Sequence, residues 1–208
     1  MVTVMLVAGA AATSPAVAQG PARIVQPGAP GQPTRTINAS DAADVSAVRH
    51  TAADVRFMQG MLGHHAQALE MTALVATRSV REDLRTLALR IEVSQADEMA
   101  MMKEWLTQRG EPVPDGRAHH GHDATRMPGM LTADQMQRLR DTHGTAFEAG
   151  FLEGMIQHHL GALVMVRELF ATPGAGQEPA LFSFASDVEA DQAMEIRRMR
   201  ALLKELQK

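Results

Sequence analysis

The twelve residues GMLGHHAQALEM, Gly60 to Met71, return ninety-four positions later as GMIQHHLGALVM, Gly154 to Met165. Over 57–71 and 151–165, eight of fifteen residues are identical: Phe, Gly, Met, His, His, Ala, Leu and Met. A second match follows at an offset of ninety-seven, where Ala88, Glu92, Gln95, Ala96, Glu98 and Met102 recur as Ala185, Glu189, Gln192, Ala193, Glu195 and Met199. This duplication limits the fold: each copy is one small unit, and a helical hairpin alone leaves an apolar face that its twin must cover.

Within each copy the period is helical. Positions 57, 58, 61, 62, 65, 68, 69, 72 and 75 advance by threes and fours once His65 and Thr72 are admitted to the stripe. "TAAD" at Thr51–Asp54 reads as a helix start and "TADQ" at Thr132–Gln135 as a capping box. The spacing predicts helices over about 51–76, Arg81 to Arg109, Thr132 to Phe170 with an interruption or kink at His143–Gly144, and Ala180 to Gln207. Gly110 and the Pro112–Pro114 segment stop the second helix, and "ATPGAGQEP" turns the chain before the last. The predicted fold is all-α: a four-helix bundle built from two repeated hairpins, 40–110 and 132–208, joined by a His/Met-rich linker, 111–131.

Ahead of the hairpins, residues 1–18 are apolar, uncharged and end in Ala16-Val17-Ala18, the pattern of a secretory signal cleaved before Gln19. Residues 19–39, crowded with Pro and Gly, read as a flexible leader. Export to the periplasm or beyond is the expectation. A net charge of −4 and a pI near 6.1 give no broad basic surface for nucleic acid and no polybasic patch for a membrane. With no cysteine in the chain, a soft-metal site must be built from Met and His; there are 15 methionines against 7 aromatic residues.

At about 100° per residue, Met61, His64, His65, Ala68, Met71 and Thr72 share one sector of the first helix, so both imidazoles of the pair turn toward the core. On the second helix Ala88, Gln95, Met99 and Met102 share a sector, with Glu98 at its edge. Buried imidazoles need partners. One reading supplies them from Gln95, Glu98, Gln192 and Glu195, making the chain a structural or protein-interaction bundle without metal. The other takes the repeated His pair, bracketed by thioethers, as a metal site. Thioether sulfur with neutral imidazole suits Cu(I), with Ag(I) as surrogate, whereas zinc sites lean on Cys or carboxylate. Di-iron bundles need Glu-x-x-His, which this sequence lacks, and no cofactor motif points to an enzyme. The linker carries a weaker tract, His119, His120 and His122 followed by Met127 and Met130, also able to take copper. If the core histidines are ligands with an ordinary pKa of about 6.5, affinity should weaken as pH falls through that value.

The twice-written Phe-x-x-Gly-Met-x-x-His-His-x-x-Ala-x-x-Met, the paired Gln-x-x-Glu-x-x-x-Met and "MPGMLT" at 127–132 resemble the CopM-like family, domain of unknown function 305. The likeness covers about residues 50–207. It implies a ferritin-like helical bundle, periplasmic copper binding and copper tolerance. By position, the ligands it implies are Met61, His64, His65, Met71 and Met102 from the first half and Met155, His158, His159, Met165 and Met199 from the second. Gln95, Glu98, Gln192 and Glu195 would be their outer partners. Expected partners are the metal ion itself and a copper-transfer protein or a second copy of the chain, with no nucleic acid and no membrane after cleavage. Position 148 departs from the family's usual Asp, being Glu, and Trp105 is matched by Leu202 in the second half, so the hairpins need not bind equally.

Overall fold

The computed structural model describes residues 24–26, 34–40, 48–114 and 127–208. The signal-like segment, along with His119, His120 and His122, lies outside the described residues. The chain divides into two units, 1–47 and 48–208. In the first, β1 (Ile24–Gln26) pairs antiparallel with β2 (Arg35–Ile37), Val25 opposite Thr36. The leader reading of 19–39 did not foresee this short ladder.

The second unit carries the repeats. Thr51 opens α1 (Ala52–Arg78) with a full capping box: its hydroxyl accepts from the Asp54 backbone N–H at 3.2 Å, and its own N–H donates to the Asp54 carboxylate at 2.7 Å. Helix α2 (Glu82–Gln108) returns along it. Thr132 caps α3 (Ala133–Asp141) in the same way, with Gln135 as its partner. The expected interruption is a complete break: α3 ends, His143 becomes the N-cap residue of α4 (Gly144–Ala171), and Gly144 takes φ +56°. Glu178 caps α5 (Pro179–Leu206), with Pro179 in the first turn where its missing N–H costs nothing. Among the described residues of this unit, the result is an all-α bundle of four long helices with α3 as an added short piece. Among the described residues, no helix is long and apolar enough to cross a membrane.

The hairpins α1–α2 and α4–α5 meet through α1 against α4, and the contacts fix that crossing as antiparallel. His64 faces its own counterpart His158, Met71 lies by Gly154, and Met165 lies by Gly60. The apolar core forms two clusters. One contains Met61, Met102, Met165, Phe57, Leu106 and Phe184; the other contains Met155, Met199, Met71, Phe147, Phe151 and Ile196.

Candidate metal centre

All four motif histidines are fully buried, as their helical phase requires. Their rings run as a row. His64 and His158 lie at the middle with centroids 3.8 Å apart; His65 sits 6.4 Å from His64, and His159 6.2 Å from His158.

Each ring commits its Nε2. His65 pairs with the Glu98 carboxylate at 2.5 Å, and His159 with Glu195 at 2.7 Å, the same contact in both repeats. His64 Nε2–H donates to the Pro128 carbonyl at 3.0 Å and His158 Nε2–H to the His64 carbonyl at 2.8 Å. A carbonyl only accepts, so in both central rings the proton sits on Nε2 and the lone pair on Nδ1. Among the described residues, the buried side-chain nitrogens and oxygens lacking a hydrogen-bond partner are those four Nδ1 atoms and the amides of Gln95 and Gln192. Elsewhere in the described core such groups are paired, which is the ordinary condition of a folded protein.

Electrostatics keep the central rings neutral. Burial, followed by the charge of His65, pushes the His64 imidazole down to about 3. Burial and then His64 and His159 hold His158 well below its usual value. Beside the His–Glu pairs, burial first and then the Glu98 and Glu195 carboxylates raise the Asp191 carboxyl.

The expected sites are therefore rearranged in two respects. Gln95 and Gln192 are buried, but they are not partners of the imidazoles; Glu98 and Glu195 alone among the four reach them. And the methionines do not sort by repeat. Because α1 and α4 cross antiparallel, Met165 joins Met61 and Met102, while Met71 joins Met155 and Met199. Sequence spacing shows which face a residue takes but not which end of the partner helix it meets.

Residues 127–131, taken in sequence as the end of a loose tract, form a strap over α1 and α4. Leu131 is held at both backbone groups by Gln67, its N–H donating to Gln67 Oε1 at 2.7 Å and its carbonyl accepting from Gln67 Nε2 at 3.0 Å. At the position equivalent to Gln67 stands Gly161, where a Cβ would collide with the Pro128 carbonyl and the Gly129 backbone. The signal for this strap was present in "MPGM" and in the Gln-for-Gly difference between the repeats. Within the strap Met130 is buried and Met127, at its start, is half-buried.

Among the described residues no three His, Asp or Glu side chains converge as a metal cage. Thioether sulfur and imidazole, both donors that suit a soft ion, are present and buried in this core. Residues 54–203 match DUF305, a domain of unknown function. The chain belongs to the DUF305 family. A DUF305 fragment from Deinococcus radiodurans is 32% identical with a TM-score of 0.66, the match covering 75% of this chain and 98% of the fragment. A Streptomyces coelicolor DUF305 protein, provisionally classed as secreted, is also 32% identical with a TM-score of 0.63, over 74% of this chain and 93% of its own. The Cu(I)-bound form of CopM is 25% identical with a TM-score of 0.57, and the Cu(II)-bound form 26% with 0.60, each over 73% of this chain and 96% of CopM. Among curated proteins the chain has no match.

Proposed function

We propose that this DUF305 protein is an exported, non-enzymatic copper binder that holds or passes on Cu(I) in copper tolerance. The observation that carries the reading is the set of four buried imidazoles whose Nε2 atoms are all committed while every Nδ1 is unpaired. An imidazole that donates one N–H to a carboxylate or carbonyl and leaves the other nitrogen bare is oriented and polarised as a metal ligand. His65–Glu98 and His159–Glu195 have that form, with Met61 and Met155 one turn away on the same helix faces. Thioethers favour the reduced ion, and CopM supports copper as the element. The apolar signal-like segment and the secreted relative support export.

The test is an anaerobic Cu(I) titration of the full chain against a chromophoric competitor. Replacing His65 and His159 by Gln should lower affinity at least about tenfold. E98A with E195A, which keeps both rings but frees them, should cost roughly 10- to 100-fold. If stoichiometry and affinity are unchanged in both pairs while circular dichroism shows them folded, copper does not use this core. The structural-bundle reading then takes its place.

A further inference from the structure

The strap crosses both repeats, and it meets their equivalent glycines differently. A Cβ placed on Gly154 would touch Leu131 Cδ2 at 3.0 Å and Met71 Cε at 3.2 Å. Met71 lies there fully buried, and the hollow beside Gly154 is lined by Leu131 with no methionine. A Cβ placed on Gly60 would instead find Met165 Cε at 3.5 Å and Met127 Sδ at 3.8 Å. Here the strap contributes a thioether where its other end contributes a leucine. The space is open: a groove of about 290 Å³ runs between α1 and α4, with Met127 and Met165 both on its wall and Arg56 and Glu168 among its other lining residues. Met165 keeps 9% of its surface exposed against 0% for Met71.

Two thioether side chains from different segments, Met127 with its Sδ and Met165 with its Cε against the same glycine, line one solvent-reachable hollow and offer a donor pair for a soft monovalent cation, to which hard cations bind poorly. Packing alone does not require a thioether from the strap, since beside Gly154 the strap supplies Leu131 in the place that Met127 takes beside Gly60. We propose that Met127 and Met165 form a second soft-cation site, on the surface, at which Cu(I) or Ag(I) is taken up or released. As a site it stands apart from the buried imidazoles; its role as a place of exchange rests on the copper reading above.

Ag(I) is the probe, because it is soft and redox-silent. The full chain, labelled with carbon-13 at the methionine ε-methyls, is titrated with Ag(I), and the methyls of Met127 and Met165 should move together. M127L copies the leucine of the other repeat and so should fold. It should lower the stoichiometry by one ion while the methyls of Met61, Met102, Met155 and Met199 respond as before. M165L should weaken the Met127 response at least about tenfold; an unchanged Met127 response would overturn the pairing and assign that sulfur to other donors. If the core methyls shift and Met127 stays still, the surface site is wrong and the copper core stands. If Met127 and Met165 shift while the core methyls do not, the surface site stands and the core reading fails.

Discussion

A fully buried ring that already donates one nitrogen to a carbonyl would have to carry a second proton on an Nδ1 with no acceptor beside it among the described residues, and at His64 this changes the expected pH dependence. Loss of metal affinity near pH 6.5 assumes ordinary imidazoles. With His64 down to about 3, and His158 well below its usual value, both stay neutral through mildly acid conditions in the folded chain. The unfolded chain still takes up protons below about 6.5, so between that value and 3 it binds more protons than the native state, and stability falls as pH falls. At pH 5 the loss from His64 alone is roughly 2 kcal/mol. Urea unfolding at pH 7 and pH 5 should show it, and H64N, which has no titrating ring, should lose less over the same interval. Imidazole NMR should report neutral rings for both residues at pH 5. At this scale the inward direction of the His pairs was legible, because helical phase alone determines it. The idle Gln95 and Gln192 amides were not legible, because phase says nothing of reach.

Helix starts were written into the chain as capping boxes at Thr51 and Thr132, and both are found there. The strap was harder to read, because its partners lie in other elements. Its packing makes three helical glycines unequal. At Gly60 a Cβ would make ordinary contacts with flexible side chains, so G60A should be neutral or gain up to about 1 kcal/mol from helix propensity. At Gly154 the nearest atoms are tighter but are side-chain methyl groups, so G154A should fall in between. At Gly161 the obstacle is the Pro128–Gly129 backbone, and G161A should cost about 1–3 kcal/mol by forcing the strap away. Thermal melts of the three variants should rank in that order, and G161A alone should open the 127–131 strap to proteolysis, read as cleavage after Leu131. The β1–β2 ladder was hidden because three-residue strands amid Pro and Gly carry too little pattern to register.

For the repeat unit as a whole, duplication revealed the hairpins but not their mutual orientation, which depends on pairs far apart in sequence. Two buried carboxylates record it. Asp54, at the start of α1, accepts from the Gly176 N–H at 2.7 Å in the α4–α5 turn. Glu148, at the start of α4, accepts from the Ser79 hydroxyl at 2.6 Å in the α1–α2 turn. Each hairpin thus holds the other's turn. D54N keeps one acceptor oxygen where two are in use, and should cost about 1–3 kcal/mol. E148Q retains its acceptor and should cost less than about 1 kcal/mol. Chemical denaturation of both, and of the double variant, should show near-additive losses, the two sites being at opposite ends of α1.

The contact of His64 with His158 has one more consequence. With Met71 by Gly154 and its counterpart Met165 by Gly60, the contacts around that pair are reciprocal, so the two hairpins meet as the subunits of an isologous dimer do, joined into one chain. A dimer of separate subunits would have two identical halves. Here a single strap lies over both repeats, and no single segment can obey a two-fold operation that does not map it onto itself. It gives His64 the Pro128 carbonyl and leaves His158 to a helix carbonyl; it sets Met127 beside one glycine and Leu131 beside the other. The linker that fuses the halves therefore also makes them chemically distinct.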